Sequence, residues 1–252
     1  GKRMQNKKLI AKGLEIASNI NDNEVKQNMM YLTYSLRELF WSKSELNDTS
    51  LNVNKNHYFK EMEWLISRFN DKNNGLILAA KGGNNGEYHN HNDIGNFIIH
   101  CQGESLISDL GSGVYTKKYF REERYKYLPC SSRGHSVPIV NGKEQGTGKS
   151  YYAKIIKKEF TNKEDKFVLE LKNAYPKQSD LISLKRSWRF NRREKNGKIN
   201  LTDKVKFKKN EGNIVSTLIT FFKPRLTSDN IMLIYGNKNT LSIEYDKELK
   251  PE

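Results

Sequence analysis

Hydrophobic positions change period once along the chain, near residue 61. Upstream, Leu9, Ile10, Leu14, Ile16, Ala17 and Ile20 recur at three-to-four spacing, and Met29, Met30, Leu32, Leu36, Leu39 and Phe40 form a second such stripe. That spacing lines one face of a helix. Residues 5–46 therefore read as two helices, broken at Asn21-Asp22-Asn23, which can also cap the second. A helical hairpin buries little alone, so the pair looks like the end of a larger helical domain. Residues 47–60 are polar and turn-rich and read as a linker.

Beyond residue 61 the period is two. The expected strands are Met62–Phe69, Leu76–Lys81, Ile94–Cys101, Ser105–Asp109, Ser136–Val140, Tyr151–Phe160, Phe167–Lys172, Leu181–Phe190, Lys198–Phe207, Ile214–Phe222, Ile231–Tyr235 and Leu241–Tyr245. Asn73-Asn74-Gly75, Gln102-Gly103, Asn196-Gly197 and Asn210-Glu211-Gly212 supply hairpin-like turns between them. Many short strands with no intervening helix predict a mainly β protein. Its fold would be a large antiparallel β-sandwich preceded by a short α-helical segment. Residues 110–134 interrupt the pattern with a long, Gly- and Tyr-rich connection carrying Lys117, Lys118, Arg121, Arg124 and Lys126. Long connections in a sandwich are functional or disordered, and Tyr115, Tyr119, Tyr125 and Tyr127 favour order.

Composition adds two constraints. Lys+Arg 44 against Asp+Glu 29 gives a formal charge of +15, dense at Lys185–Arg193 and Lys204–Lys209. Such a balance suits a polyanionic partner, or reflects a surface solvated by lysine. No nucleic-acid motif is present. No apolar run reaches the length of a membrane span, and no signal-peptide pattern is read in these residues, which says little where an upstream portion is expected. The chain starts inside a helix-like pattern, so a preceding portion is expected. Cys101 and Cys130 do not make a disulfide framework, and Cys101, at the end of an apolar run, reads as a buried thiol.

The candidate chemistry is concentrated in four of the five histidines: His89, His91, His100 and His135. His89 and His91 stand at i, i+2, which extended backbone would place on one face. Asp109 ends an apolar strand before Leu110-Gly111, and His135 opens another strand. Two histidines and an aspartate brought from separate strands suit Zn²⁺ with one open position. Equally, His135 could cap its strand and Asp109 serve a turn. If His91 binds a metal, His89 lies beside it, free to move a proton. Asp93 is a rival ligand, or it fixes the turn and orients His91. Tyr115, Arg124 and Tyr125 suit a sugar-binding wall, with rings stacking on pyranose faces and Arg forking onto a carboxylate or sulfate.

One ordered series resembles a known family. His89-Asn90-His91-Asn92-Asp93-Ile94-Gly95-Asn96-Phe97, Gly103, Asp109-Leu110-Gly111, Tyr115, Arg124-Tyr125, His135 and Asn141-Gly142-x-x-Gln145 resemble the heparinase II/III-like polysaccharide lyases. The resemblance implies that residues 1–50 are the last helices of an α/α toroid and that 51–252 are the β-sandwich. It implies a mainly structural zinc on His91, Asp109 and His135, with His89 lining the cleft. It also implies β-elimination on an acidic, uronic-acid-containing polysaccharide in a bacterial periplasmic or secreted setting. The family's catalytic Tyr and its Asn or His charge neutraliser belong to the toroid, upstream of residue 1. This chain alone would then carry half a site. The alternative is a non-catalytic carbohydrate-binding sandwich with a structural zinc.

Overall fold

Two antiparallel sheets stack face to face in the computed structural model, which describes residues 54–70, 74–209, 211–228 and 230–251. The helices expected over 5–46 lie outside the described residues. In chain order the strands begin with β1 (Asn56–Phe59), β2 (Trp64–Arg68), β3 (Leu76–Lys81), β4 (Asn84–Asn85), β5 (Phe97–Cys101) and β6 (Glu104–Ile107). All but β4 form the first sheet, ordered β1-β2-β3-β5-β6. After the long connection come β7 (Pro138–Val140), β8 (Gly148–Tyr152), β9 (Lys154–Phe160), β10 (Glu164–Glu170), β11 (Leu181–Asn191) and β12 (Lys198–Phe207). The last four make the second sheet, ordered β12-β11-β10-β9. The chain closes with β13 (Ile214–Ser216), β14 (Pro224–Ser228), β15 (Ile231–Tyr235) and β16 (Thr240–Glu244). β13 pairs with β7, β4 with β8, and β14 to β16 form a sheet of their own.

Side-chain alternation builds the core. In β11 Leu184, Trp188 and Phe190 turn inward while Lys185 and Arg189 stay exposed. Trp188 meets Phe97 of the facing sheet at 6.2 Å between ring centroids and stacks on Phe167 at 5.9 Å. Tyr58 of β1 reaches across to Phe167 in the same way. Among the described residues, no helix is long and apolar enough to cross a membrane.

Several expected boundaries move. Asn56–Phe59, expected within the linker, is edge strand β1, paired to β2 through Tyr58↔Leu65. Tyr151–Phe160 is two strands. Ala153 between them is buried and donates its N–H to the Gly83 carbonyl, so β8 pairs with β4 and β9 joins the second sheet. Only Ile214–Ser216 of the expected Ile214–Phe222 pairs as a strand. Ile94–Asn96 is a turn rather than the start of β5, with Asn96 N–H bonded to the Asp93 carbonyl. Gly95 sits at φ +83°, and a Cβ there would lie 2.9 Å from Leu171 Cδ1. The position needs glycine both for its left-handed backbone and for this close approach. Residues 110–134 are ordered as short 3-10 turns at Lys117–Phe120, Glu122–Lys126, Leu128–Cys130 and Ser132–Gly134. Both cysteines are buried free thiols.

Candidate active site and metal centre

Every predicted metal residue comes from a strand end or the connection beside it. His91 lies in the loop between β4 and β5, Asp109 just past β6, and His135 just before β7. One ligand atom from each falls within 4.8 Å of the others. His135 is fully buried; the other two are half-buried.

The hydrogen bonds around His135 define what the centre can hold. Its Nε2 lies 3.0 Å from the Pro129 carbonyl oxygen, and its Nδ1 lies 2.9 Å from Asp109 Oδ2. A carbonyl offers no proton, so Nε2 must donate. In neutral imidazole Nδ1 then carries only a lone pair, facing a carboxylate oxygen. Two acceptors at that distance need a proton or a cation between them. Imidazole nitrogen with carboxylate oxygen is a donor set that suits zinc, and a His91 ring nitrogen within 4.8 Å of both could be a third ligand.

Second contacts fix those ligands. Asn96 Nδ2 donates to Asp109 Oδ2 at 2.9 Å, while its Oδ1 accepts from the Ser136 N–H at 2.9 Å. Gly111 N–H binds Asp109 Oδ1 at 2.7 Å. Burial works to raise the pKa of Asp109, but the His135 contact, the Gly111 amide and the neighbouring imidazoles outweigh it and hold the carboxyl below its usual range. Burial, followed by the nearby His135, lowers the pKa of His91.

The loop carrying His91 is held from three sides. Gln145 accepts from Ile94 N–H at 2.9 Å and donates to the Ile94 carbonyl at 2.7 Å. Ser132 Oγ donates to the Asn92 carbonyl and accepts from Gln145 N–H. Asp93 pairs with Lys81 of β3 and does not join the ligand group. Arg186, in the inward row of β11, donates through Nη1 to the carbonyls of Gly95 (2.9 Å) and Ser136 (2.7 Å). Its Nε and Nη2 fork onto Asp203 of β12 at 2.8 and 2.7 Å. One buried guanidinium thus ties the segments that carry His91 and His135 to the second sheet.

His89 does not share an extended strand with His91. It sits exposed in a turn at φ +56°, so the i, i+2 same-face expectation fails there. Its ring lies edge-on to Phe120 at 6.3 Å. The 110–134 segment wraps this loop. Tyr125 Oη donates to Asn90 Oδ1 at 2.8 Å, and the Cys130 carbonyl accepts from Asn92 N–H. The Arg124 guanidinium packs between the Tyr119 and Tyr125 rings, 5.5 and 5.4 Å from their centroids. Tyr115 and Phe120 form an aromatic pair at 5.1 Å and are exposed, at 66% and 53%. Burial raises the pKa of Tyr125.

Sequence reading left Asn96, Gln145 and Arg186 without roles. Asn96 and Gln145 stand inside the quoted motif series, but nothing in their spacing tells what they hold. Arg186 did leave a signal: an arginine at the inward parity of an apolar strand, opposite an inward Asp203. Replacing one partner of such a pair strands the other, at a cost of about 3–5 kcal/mol. Arg186→Met is expected to lose stability on that scale in denaturant unfolding. Arg186→Met/Asp203→Leu should recover part of it, but not the part owed to the Gly95 and Ser136 carbonyls. A single variant as stable as the parent would show that the fork is not needed.

Comparisons with known proteins bear on the fold that carries this site. Residues 55–241 match the family model described as heparinase II/III-like, C-terminal. No curated protein matched the chain. Among solved structures, the heparan sulfate lyase HepC from Pedobacter heparinus superposes with a TM-score of 0.62 at 19% identity, covering 95% of this chain and 34% of that one. The heparinase III BT4657 gene product superposes with a TM-score of 0.60 at 17% identity, covering 81% and 32%. The chain thus spans about a third of the length of these lyases. With more than half its residues matched to that model, the chain belongs to the heparinase II/III-like family, and its described unit is the family's C-terminal β-sandwich.

Proposed function

We propose that the chain is the sandwich half of a polysaccharide lyase that cleaves uronic-acid-containing acidic polysaccharides by β-elimination. The carrying observation is the convergence of the His89–His91 loop, Asp109, His135 and the aromatic, basic 110–134 segment in one place.

His91, Asp109 and His135 would hold a zinc, whose contribution is mainly structural: it satisfies the facing acceptors and locks three chain segments together. Elimination itself needs no metal hydroxide. The C5 proton of a uronate is removed, the C4–O bond breaks, C4=C5 forms, and the departing oxygen takes up a proton. His89, exposed at the rim of the metal-binding loop, contributes to positioning or proton transfer. Tyr115, Arg124 and Tyr125 line the sugar path. Their rings offer stacking surface, and the guanidinium lies within 5.5 Å of the Tyr119 and Tyr125 ring centroids. The tyrosine that moves a proton and the Asn or His that neutralises the uronate carboxylate are assigned to a toroid domain preceding the sandwich.

Incubating protein that includes this helical half with heparan-type, alginate-type and other uronans should yield unsaturated 4,5-uronate ends, followed by ultraviolet absorbance. Tight binding of every uronan without product would instead favour a carbohydrate-binding sandwich with a structural zinc. Neither binding nor product would sink both.

A further inference from the structure

We propose that the outward face of the second sheet is a separate docking surface for the acidic polysaccharide, resting on the reading above that such a polymer is the substrate. Strand β12 turns Ile199, Leu201, Val205 and Phe207 toward the core and leaves Lys198, Asn200, Thr202, Lys204 and Lys206 outside. Lys185 of β11 lies directly opposite Lys204, and Ser183 opposite Lys206. On the far side of the sheet, Lys154 of β9 and Lys166 of β10 share the same face.

The carboxylates on this face are already engaged. Glu159 pairs with Lys157 at 2.8 Å and Glu164 with Arg189 at 2.6 Å. Glu170 accepts from Ser183 Oγ and from the Leu184 N–H. Lys154, Lys166, Lys185, Lys198, Lys204 and Lys206 have no ion-pair partner among the described residues. Like charges placed directly across a strand pair are destabilising, and these solvent-facing positions do not serve the core.

Neighbouring strands lie about 4.8 Å apart and same-face side chains along a strand about 6.7 Å apart. The result is a mainly cationic grid, with Glu170 set between Lys154 and Lys185. Between them stand hydroxyl and amide side chains, Ser183, Ser187, Asn200 and Thr202, which suit sugar hydroxyls. Aromatic rings, which single-stranded nucleic acid needs for base stacking, are missing from these rows.

The test uses the 252-residue chain and immobilised heparin, read as affinity against salt. Lys185→Glu/Lys204→Glu/Lys206→Glu should weaken binding at least about tenfold near physiological ionic strength, with a cooperative melting transition retained. The milder Lys185→Gln/Lys204→Gln/Lys206→Gln should lose less. Lys60→Glu/Lys223→Glu/Lys238→Glu makes the same change in net charge at exposed positions elsewhere and should lose under about threefold. Equal losses from the face and control variants, or no loss from the face variant, would overturn the proposal. Tighter binding to DNA of matched length would overturn the assignment to polysaccharide. The two readings separate cleanly. Heparin binding lost in the face variant, with no uronan cleaved by protein that carries the helical half, would keep the face and reject the lyase. Uronan cleavage by that longer protein, with heparin binding unchanged in the face variant, would do the reverse.

Discussion

His135→Ala is expected to cost the chain its zinc and much of its thermal stability in one step. The parent should carry one zinc, measurable by elemental analysis, on His91, Asp109 and His135. A metal that binds only the folded state stabilises it by RT ln(1 + [L]/Kd), about 4 kcal/mol at a thousandfold excess over Kd. For a domain of this size that corresponds to a shift in melting temperature on the order of 10 °C. A chelator should therefore lower the parent's melting temperature by roughly that amount and leave His135→Ala unmoved. The effect should also depend on pH in one direction. The pKa values of His91 and Asp109 are both lowered on folding, so the unfolded chain binds more protons. Stability is then retained above the ordinary imidazole value of 6.5 and lost as pH falls, first through His91 and later through Asp109. Metal binding, which requires deprotonated ligands, should weaken in the same direction. A parent that contains no zinc and ignores chelator would remove the metal from the proposal. Loss of activity in His135→Ala at unchanged stability would make the metal catalytic instead.

Much of the architecture was legible because a strand writes its two faces into alternate residues. Lys198–Phe207 and Leu76–Lys81 match the expected bounds for that reason. Misreadings arose where the pattern was too short or too apolar to show its ends. Ile94 is apolar and fully buried, yet it belongs to a turn. Its backbone is bonded at both ends to Gln145, 51 residues away, and no local signal carries that. Asn56–Phe59 lies among polar residues and pairs only along an edge, where alternation is weakest. The site divides in the same way. Ligand chemistry singled out His91, Asp109 and His135 because few residue types can do that work. The groups that orient them, Asn96, Gln145 and Arg186, act through backbone carbonyls and amides that the topology brings together. Sequence spacing does not reveal such partners.

His89→Ala, made in protein that carries the helical half, is expected to lower kcat by about 10²–10⁴-fold, the usual worth of a proton-transferring or positioning group. Zinc content and melting temperature should stay close to those of the parent, because His89 is exposed and lies outside the ligand group. Its backbone supports a functional reading. A histidine held at φ +56° is uncommon, and such conformations gather at functional sites when the surroundings enforce them. Here the enforcement comes from Asn90, whose N–H binds the Glu87 carbonyl and whose Oδ1 accepts from Tyr125. Tyr125→Phe should accordingly reduce kcat by a smaller factor through a loosened loop, and His89→Ala/Tyr125→Phe should fall no further than His89→Ala. A His89→Ala enzyme with unchanged kcat would return this histidine to the surface. The 252-residue chain alone is expected to bind uronans yet release no unsaturated product, since the proton-moving tyrosine is assigned to the other domain. Robust product from this chain would overturn both that assignment and the division of the site between two domains.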